Sequence, residues 1–561
     1  MLKESFKKNW AAPFLLEVIW HLFHPKEQRE VWKDYRNTVE RFKFFREAHF
    51  TEEPGKRVLV ASLTSFLYQV KLEGMLALGL KMHGWQPIVL TSKVYTWPRR
   101  YFKAFGINDF VYWEELSLSF EDRNKVNRDA EKILMRDHTF KSVKQLRYEG
   151  SWVGPQILSS IARENHLGTP DVGNSKVKSQ LTSAIPKVLA SVFQSQSLLA
   201  KTKPKMILIN EVNGNVMGPL TDLAVEKGIN VIQFVQPSRD DAIIFKRITP
   251  ESRRVHPNSL SLQGREFMDR MQWDEKMEEE LQKEFQDRYV GRWFLQSRNQ
   301  PGVKRKTKEE IFEVLKFDSA KKVAIVFSHI LWDANLFYGD DLFEDYGEWF
   351  VETIRAAIRN DQVNWGIKLH PSNLWKRARD KIEGNLAEVS LIEEKIGRLP
   401  DHVRLIFPNS DINTISLFQS IDYGITVRGT IGLELPCFGV PTFTAGTGRY
   451  SGLGFTLDSK TREEYLERMA HIHQYGRMSE AAMLKAKRHA YGIFKFRPWT
   501  MKSFASSFHY RKSGSHMLDH NLTLVVNTLE ECKNNGDLSR WARWAENLDL
   551  VDYLEGVDVG N

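Results

Sequence analysis

Lys368 and His370 stand two residues apart at the end of the run "NWGIKLHPSN" (364–373). Residues i and i+2 of a strand point to the same face, so the two side chains project together. Pro371 cannot continue a β-ladder and restricts the residue before it, which fixes where His370 sits. A fixed imidazole beside an ammonium is a grip for a phosphate. Other corners carry residues of the same kind. "KKVAIVFSH" ends in Ser328 and His329, with Trp332 and Asp333 just beyond. "GITVRGTIGLEL" passes through Arg428, Gly429 and Thr430, and reads as a strand, a sharp glycine turn and a helix with Thr430 at its N-cap. A glycine there lets a ligand approach the backbone, and the first N–H groups of the helix point at it. Glu434, about one turn in, is placed to accept from ribose hydroxyls. Gly446-Thr447-Gly448-Arg449-Tyr450 closes the series.

These corners need strands to hold them, because an open parallel sheet binds ligands at the carboxyl ends of its strands. "KKVAIVFSH", "NWGIKLH", "VRLIFP", "IDYGITVR" and "PTFTAG" predict five β-α units, a doubly wound domain over 320–477. Upstream, "KRVLVASL", "QPIVLTS", "KMILINEVNG" and "NVIQFVQ" alternate with helical patterns and predict a second such domain over 51–251. Residues 1–50 read as a helical segment and 252–319 as a helical connection. Residues 478–561 read as a helical region with no strand pattern. The expected class is α/β in the GT-B architecture: two doubly wound Rossmann-like domains facing a cleft, with helical additions at both termini.

The totals agree. A chain of 561 residues is too long for one ordinary core, and 42% hydrophobic with 27% charged residues describes a globular protein. Its formal charge of +9 suits an anionic ligand, and without an aromatic-interleaved basic motif nucleic acid is not an expected partner. Cys437 and Cys532 are the only cysteines, so no disulfide framework or cysteine zinc site is expected and a reducing, cytoplasmic setting is. No GxGxxG or Walker A sequence supports a dinucleotide or NTPase reading. No signal peptide is read. "WAAPFLLEVIWHLF" (10–23), with Lys3, Lys7 and Lys8 beside it, is too short to span a bilayer and contains Glu17 and His21. A packing helix is the favoured reading of it, over a segment lying on a membrane surface.

The run "FSHILWDANLF", "IKLHPSN" and "VRGTIGLELPCFGVPTFTAGTGRYSGLGFT" resembles bacterial capsule polysaccharide synthesis proteins, the group that contains the Kdo transferases. More distantly it is similar to bacterial sialyltransferases, which share a His-Pro motif and a hydroxyl-bearing corner for a CMP-sugar. The likeness covers about 320–460 and extends loosely to "FVQPSRDDAIIFKR", "RRVHPNSLS" and "KRHAYGIFKFRP". It implies a GT-B fold, a nucleotide-sugar donor bound by the C-terminal domain, and neither an obligatory metal nor a resident cofactor. His370 and Pro371 match the His-Pro motif, and Thr430 the hydroxyl position. The first half lacks a clear Asp/Glu-Asp-Gly motif, which leaves the catalytic base open among Glu211, Asp240, Asp241 and Glu73. All four lie where a base could reach an acceptor hydroxyl from the N-terminal side of the cleft.

The resulting expectation is a cytoplasmic glycosyltransferase, peripheral on the inner face of the membrane. It would move a sugar from a nucleotide-sugar, with a CMP-sugar favoured, to a surface polysaccharide or lipid-linked glycan. Lys368, His370, Arg428 and Thr430 would meet the charge on the leaving nucleotide. Two rivals keep the fold: a CDP-polyol phosphotransferase, and a non-catalytic nucleotide-binding partner in polysaccharide assembly.

Overall fold

The computed structural model describes residues 19, 23, 25–297, 304–333, 336–509 and 518–557. The segment 10–23 thus lies almost wholly outside the described residues. In the first half the short apolar runs form β1 (Arg57–Ala61), β2 (Gln86–Thr91), β3 (Asp109–Tyr112), β4 (Met206–Ile209), β5 (Asn230–Val235) and β6 (Ala242–Ile248). They lie in the order β3-β2-β1-β4-β5-β6, parallel throughout except that β6 runs antiparallel to β5. The second half forms β7 (Lys322–Phe327), β8 (Val363–Lys368), β9 (Val403–Ile406), β10 (Tyr423–Thr426), β11 (Thr442–Thr444) and β12 (Leu457–Asp458). Their order is β9-β8-β7-β10-β11-β12, with every pairing parallel. Both sheets are doubly wound. Strand order reverses between β1 and β4 in one and between β7 and β10 in the other, and such a reversal opens a crevice for ligands.

Each sheet is covered on both faces. In β1, Val58 and Val60 pack with Leu72 and Met75, whereas Leu59 and Ala61 pack with Ile157 and Leu189. In β7, Val323 and Ile325 serve one core, and Ala324 and Val326 the other. A strand buried on both sides reads as an unbroken apolar run, which is why these strands are visible in the sequence.

The region 478–561, expected to be helical, also carries β13 (Trp499–Thr500), β14 (Phe504–Phe508) and β15 (His520–Leu524). β13 pairs antiparallel with β6 and extends the first sheet to seven strands, while β14 and β15 pair with each other. Trp541 and Trp544 stack on Phe245 of β6 at centroid distances of 4.2 and 5.8 Å. Trp541 Nε1 also donates to the Leu76 carbonyl at 2.9 Å. The end of the chain therefore completes the first domain. β14 gives no apolar run because "FASSF" alternates small polar residues with its aromatic ends. β6 carries buried Lys246 and Arg247, whose donors are spent on carbonyls such as Ser252 and Trp544.

The carboxyl ends of the two sheets face each other. Arg163, on the helix Val153–Asn165, donates to Asp333 beyond β7 at 3.0 Å. Asn213, beyond β4, donates to the Tyr338 hydroxyl at 3.4 Å. Arg254 in the connection and Gly339 exchange backbone and side-chain bonds of 2.7 and 2.6 Å. This is the GT-B architecture, two Rossmann-like domains across a cleft.

Candidate active site

A cavity of about 360 Å³ opens at the carboxyl ends of β7, β8 and β10, where the strand order of the second sheet reverses. The corners read from the sequence meet there: Ser328, His329, Lys368, His370, Pro371, Arg428, Gly429, Thr430 and Glu434 all line it.

Lys368 ends β8 with its side chain buried. Its ammonium has no hydrogen-bond or ion-pair partner among the described residues. Burial alone pulls its pKa from 10.5 down to about 8. An unpaired buried charge is costly, and an arriving anion offsets that cost. Beside it, His370 Nδ1 accepts the Ser372 N–H at 3.2 Å. Burial, then Lys376 and Lys368, hold the ring down to about 4, so it is neutral at pH 7 with its proton on Nε2. It can therefore donate to an anion without adding charge. Ser328 Oγ, Nε and Nη1 of Arg428, and Nε of Arg449 are all buried without a hydrogen-bond partner. Arg428 Nη2 pairs with Asp341, whose carboxyl burial pushes up to about 6. The arrangement is rich in donors and short of acceptors, which suits a phosphate.

Three details differ from the simple corner. Thr430 occupies the position before the helix Ile431–Cys437, but has helical dihedrals and makes no side-chain cap bond. Gly429 is needed for packing rather than for left-handed backbone: a Cβ there would lie 2.9 Å from Thr426 Oγ1. Glu434 is fully buried, bound by Arg288 at 2.9 Å and by the Tyr289 hydroxyl, both from the helix Glu275–Tyr289. That ion pair closes one wall. His329 forms another, its ring stacked on Tyr346 at 4.3 Å with Nε2 accepting the Val427 N–H at 3.3 Å. Burial, then His370 and Arg428, keep this imidazole neutral.

The candidate bases separate. Glu211 sits in the loop after β4, open to solvent yet with protein on most sides. Its Oε1 accepts the Asn213 N–H at 2.9 Å. Burial raises its pKa, against that N–H, Arg163 and Arg253, with Asp333 reinforcing the rise. Asp333 and Tyr338, which line the cavity, both feel its charge. Asp240 instead accepts the Phe294 N–H at 2.8 Å, and Asp241 holds Arg239 in a two-bond clamp at 3.0 and 2.9 Å. Glu73 is wholly buried beside Gln69, and burial raises its carboxyl to about 7. None of the four lines the cavity itself, and Glu211 alone is tied to it through Asp333 and Tyr338. Among the described residues no group of three or more His, Cys, Asp or Glu side chains is placed to hold a metal ion.

No protein-family model and no curated protein matches the chain. Solved structures do match it. Thermosulfurimonas dismutans KpsC, a beta Kdo 2,4 transferase, is 14% identical over 53% of this chain and 82% of its own, with a TM-score of 0.32. S. aureus MnaA, solved with UDP, is 11% identical over 77% and 91%, with a TM-score of 0.28. Neisseria meningitidis UDP-GlcNAc 2-epimerase, bound to UDP-GlcNAc, is 10% identical over 77% and 95%, with a TM-score of 0.25. At these scores the fold assignment rests on the strand orders of the two sheets themselves.

The cavity also holds Arg449, from the strand-end series, and residues that the strand-end rule does not find: His256, Arg288, Tyr289 and Tyr346. Arg449 lies in the Gly-rich stretch after β11, and His256 begins a second His-Pro pair, so both carried a signal. Arg288 and Tyr289 sit on a charged connector helix and carried none.

Proposed function

We propose that this protein is a glycosyltransferase that moves a sugar from a nucleotide-sugar donor to a surface polysaccharide or lipid-linked glycan. The observation that carries the reading is the unpaired Lys368 ammonium beside neutral His370, with Glu211 on the facing domain. Glu211 takes the proton of the acceptor hydroxyl, its raised pKa suiting it to hold that proton. Lys368, the Nε2–H of His370, Arg428 and Thr430 meet the charge that develops on the leaving nucleotide. The donor is a CMP-sugar, in keeping with the sialyltransferase-like His-Pro corner. With the leaving group met by fixed cations, no metal is needed. The protein works on the cytoplasmic side, held reversibly at the membrane where its acceptor lies. Among the described residues no helix is long and apolar enough to cross a membrane.

The test is transfer from labelled CMP-, CDP- and UDP-linked donors to a glycan acceptor, with and without EDTA. A product carrying the sugar alone, formed equally in EDTA, supports the reading. A product that retains phosphate points to polyol-phosphate transfer, and nucleotide binding without any product to a non-catalytic partner.

A further inference from the structure

His256 lies in the connection between the domains, yet its ring lines the donor cavity. It repeats the local geometry of His370. Each histidine precedes a proline, and each Nδ1 accepts the backbone N–H two residues on, from Asn258 at 3.1 Å and from Ser372 at 3.2 Å. Burial, then Arg449, Lys246 and Arg428, keep the His256 ring neutral, so its proton is on Nε2. That Nε2 lies 3.3 Å from Nη2 of Arg449, and a guanidinium can only donate. Two donors therefore face each other with no acceptor between them, and Arg449 Nε is unpartnered as well. An anionic oxygen at this spot would satisfy both.

The backbone around the ring is unusually secured. The carbonyl before it, on Val255, accepts from buried Lys246. The carbonyl after it, on Pro257, accepts from wholly buried Arg497 at 2.9 Å. Arg497 is anchored by Asp552, which also accepts the Ser261 N–H and hydroxyl at 2.7 Å each. Lys246 and Arg497 are thus positioning residues for one imidazole.

The two His-Pro corners approach from different sides. β8, with Lys368 and His370, flanks β7 on one side, and β10 and β11, leading to Arg428 and Arg449, flank it on the other. We infer that His256 and Arg449 bind an anionic group of the donor distinct from the phosphate held by Lys368 and His370. The donor class is then a nucleotide with two anionic groups: a diphosphate, or a monophosphate joined to a sugar carboxylate. This rests on the nucleotide-donor reading above.

Calorimetric titration of the full chain with CDP, CMP-N-acetylneuraminate and CMP tests it. The preferred two-anion ligand identifies which kind of second group is taken. Loss of a charge-assisted hydrogen bond in His256→Ala should weaken that ligand roughly tenfold or more, and CMP much less. His370→Ala should weaken all three, and His256→Gln, which keeps an N–H, should recover part of the loss. Affinities for all three that are unchanged from wild type in folded His256→Ala overturn the inference and leave the donor reading standing. No binding of any of them by the wild-type protein overturns both. In the unmodified protein, the His256 ring-nitrogen resonance, identified by its absence in His256→Gln, should move on ligand addition. If it stays still while ligand binds, the inference also fails.

Discussion

The loop beyond β4 and the corner beyond β8 each stand next to the central strand of their sheet, on opposite sides of it in two sheets of the same strand order, and they are built oppositely. Beyond β4 the protein supplies its own partners. Arg253 donates to Val212 and Asn213 at 3.1 Å each, the Asn213 N–H holds Glu211, and Gln156 accepts the Gly214 N–H at 2.5 Å. Beyond β8 the protein leaves a buried ammonium without a partner, and Ser328 Oγ nearby has none either. One corner is largely finished, its carboxylate held by a backbone N–H, although Asn215 Oδ1 there is buried without a partner. The other is completed only when something negative arrives. Topology sets where both corners stand, and a handful of residues decides what each can do there.

That contrast can be attacked from either side. Glu211→Gln keeps the loop bonds but removes the base, so turnover should fall by about 10²–10⁴ with donor affinity unchanged in a titration. If turnover survives, the finished corner is only scaffolding. His370→Ala strikes the unfinished corner. Turnover should drop by on the order of 10²–10³ and nucleotide should bind more weakly, while thermal unfolding stays where it was. Near-normal turnover in that variant would remove the corner from the mechanism.

The next effect is on pH. Lys368 must be charged to grip an anion and titrates at about 8, so nucleotide affinity should be flat below about pH 8 and fall above it. Lys368→Met should bind weakly with no such bend, and a bend that persists would assign it to another group. The smallest effect is on stability. The folded pKa of Lys368, about 8, lies below its ordinary 10.5, so between these values the unfolded chain holds more protons. Wild-type stability from this group therefore rises with pH across that window. Lys368→Met should lack that rise and unfold at a higher temperature at pH 7, the gain at most on the order of 3 kcal/mol. A lower unfolding temperature would mean that the ammonium is satisfied in the protein as it stands.

Much of this was legible in the residues. Strands such as "KVAIVF" and "MILI" are apolar because both faces are buried, and the corner residues follow from where those strands stop. β6 was not legible because its buried cations, Lys246 and Arg247, interrupt the apolar run and find carbonyls only in distant segments. β3 is a short edge strand, only partly buried, and β13 has two residues, too few for any periodicity. At the site, spacing alone brought Lys368 and His370 to one cavity. It could not say that Glu434 would be taken by Arg288 and Tyr289, because that depends on how a charged helix docks. Nor could it separate Glu211 from Asp240, Asp241 and Glu73. Their difference lies in partners contributed by other segments, Phe294 and Arg239 among them.

The return of β13 to the first sheet has a consequence for the ribosome. A chain emerges from its N-terminus, and domains ordinarily fold in that order. Here Trp499, Trp541 and Trp544 belong to the core that packs on β1 and β6, and they are made after the whole of the second sheet. The second sheet, from β7 to β12, is fully translated while the first still lacks a strand and three tryptophans. The later domain can therefore close first. Until those residues emerge, the earlier one exposes the β6 edge and the Phe245 face that β13 and the tryptophans will cover.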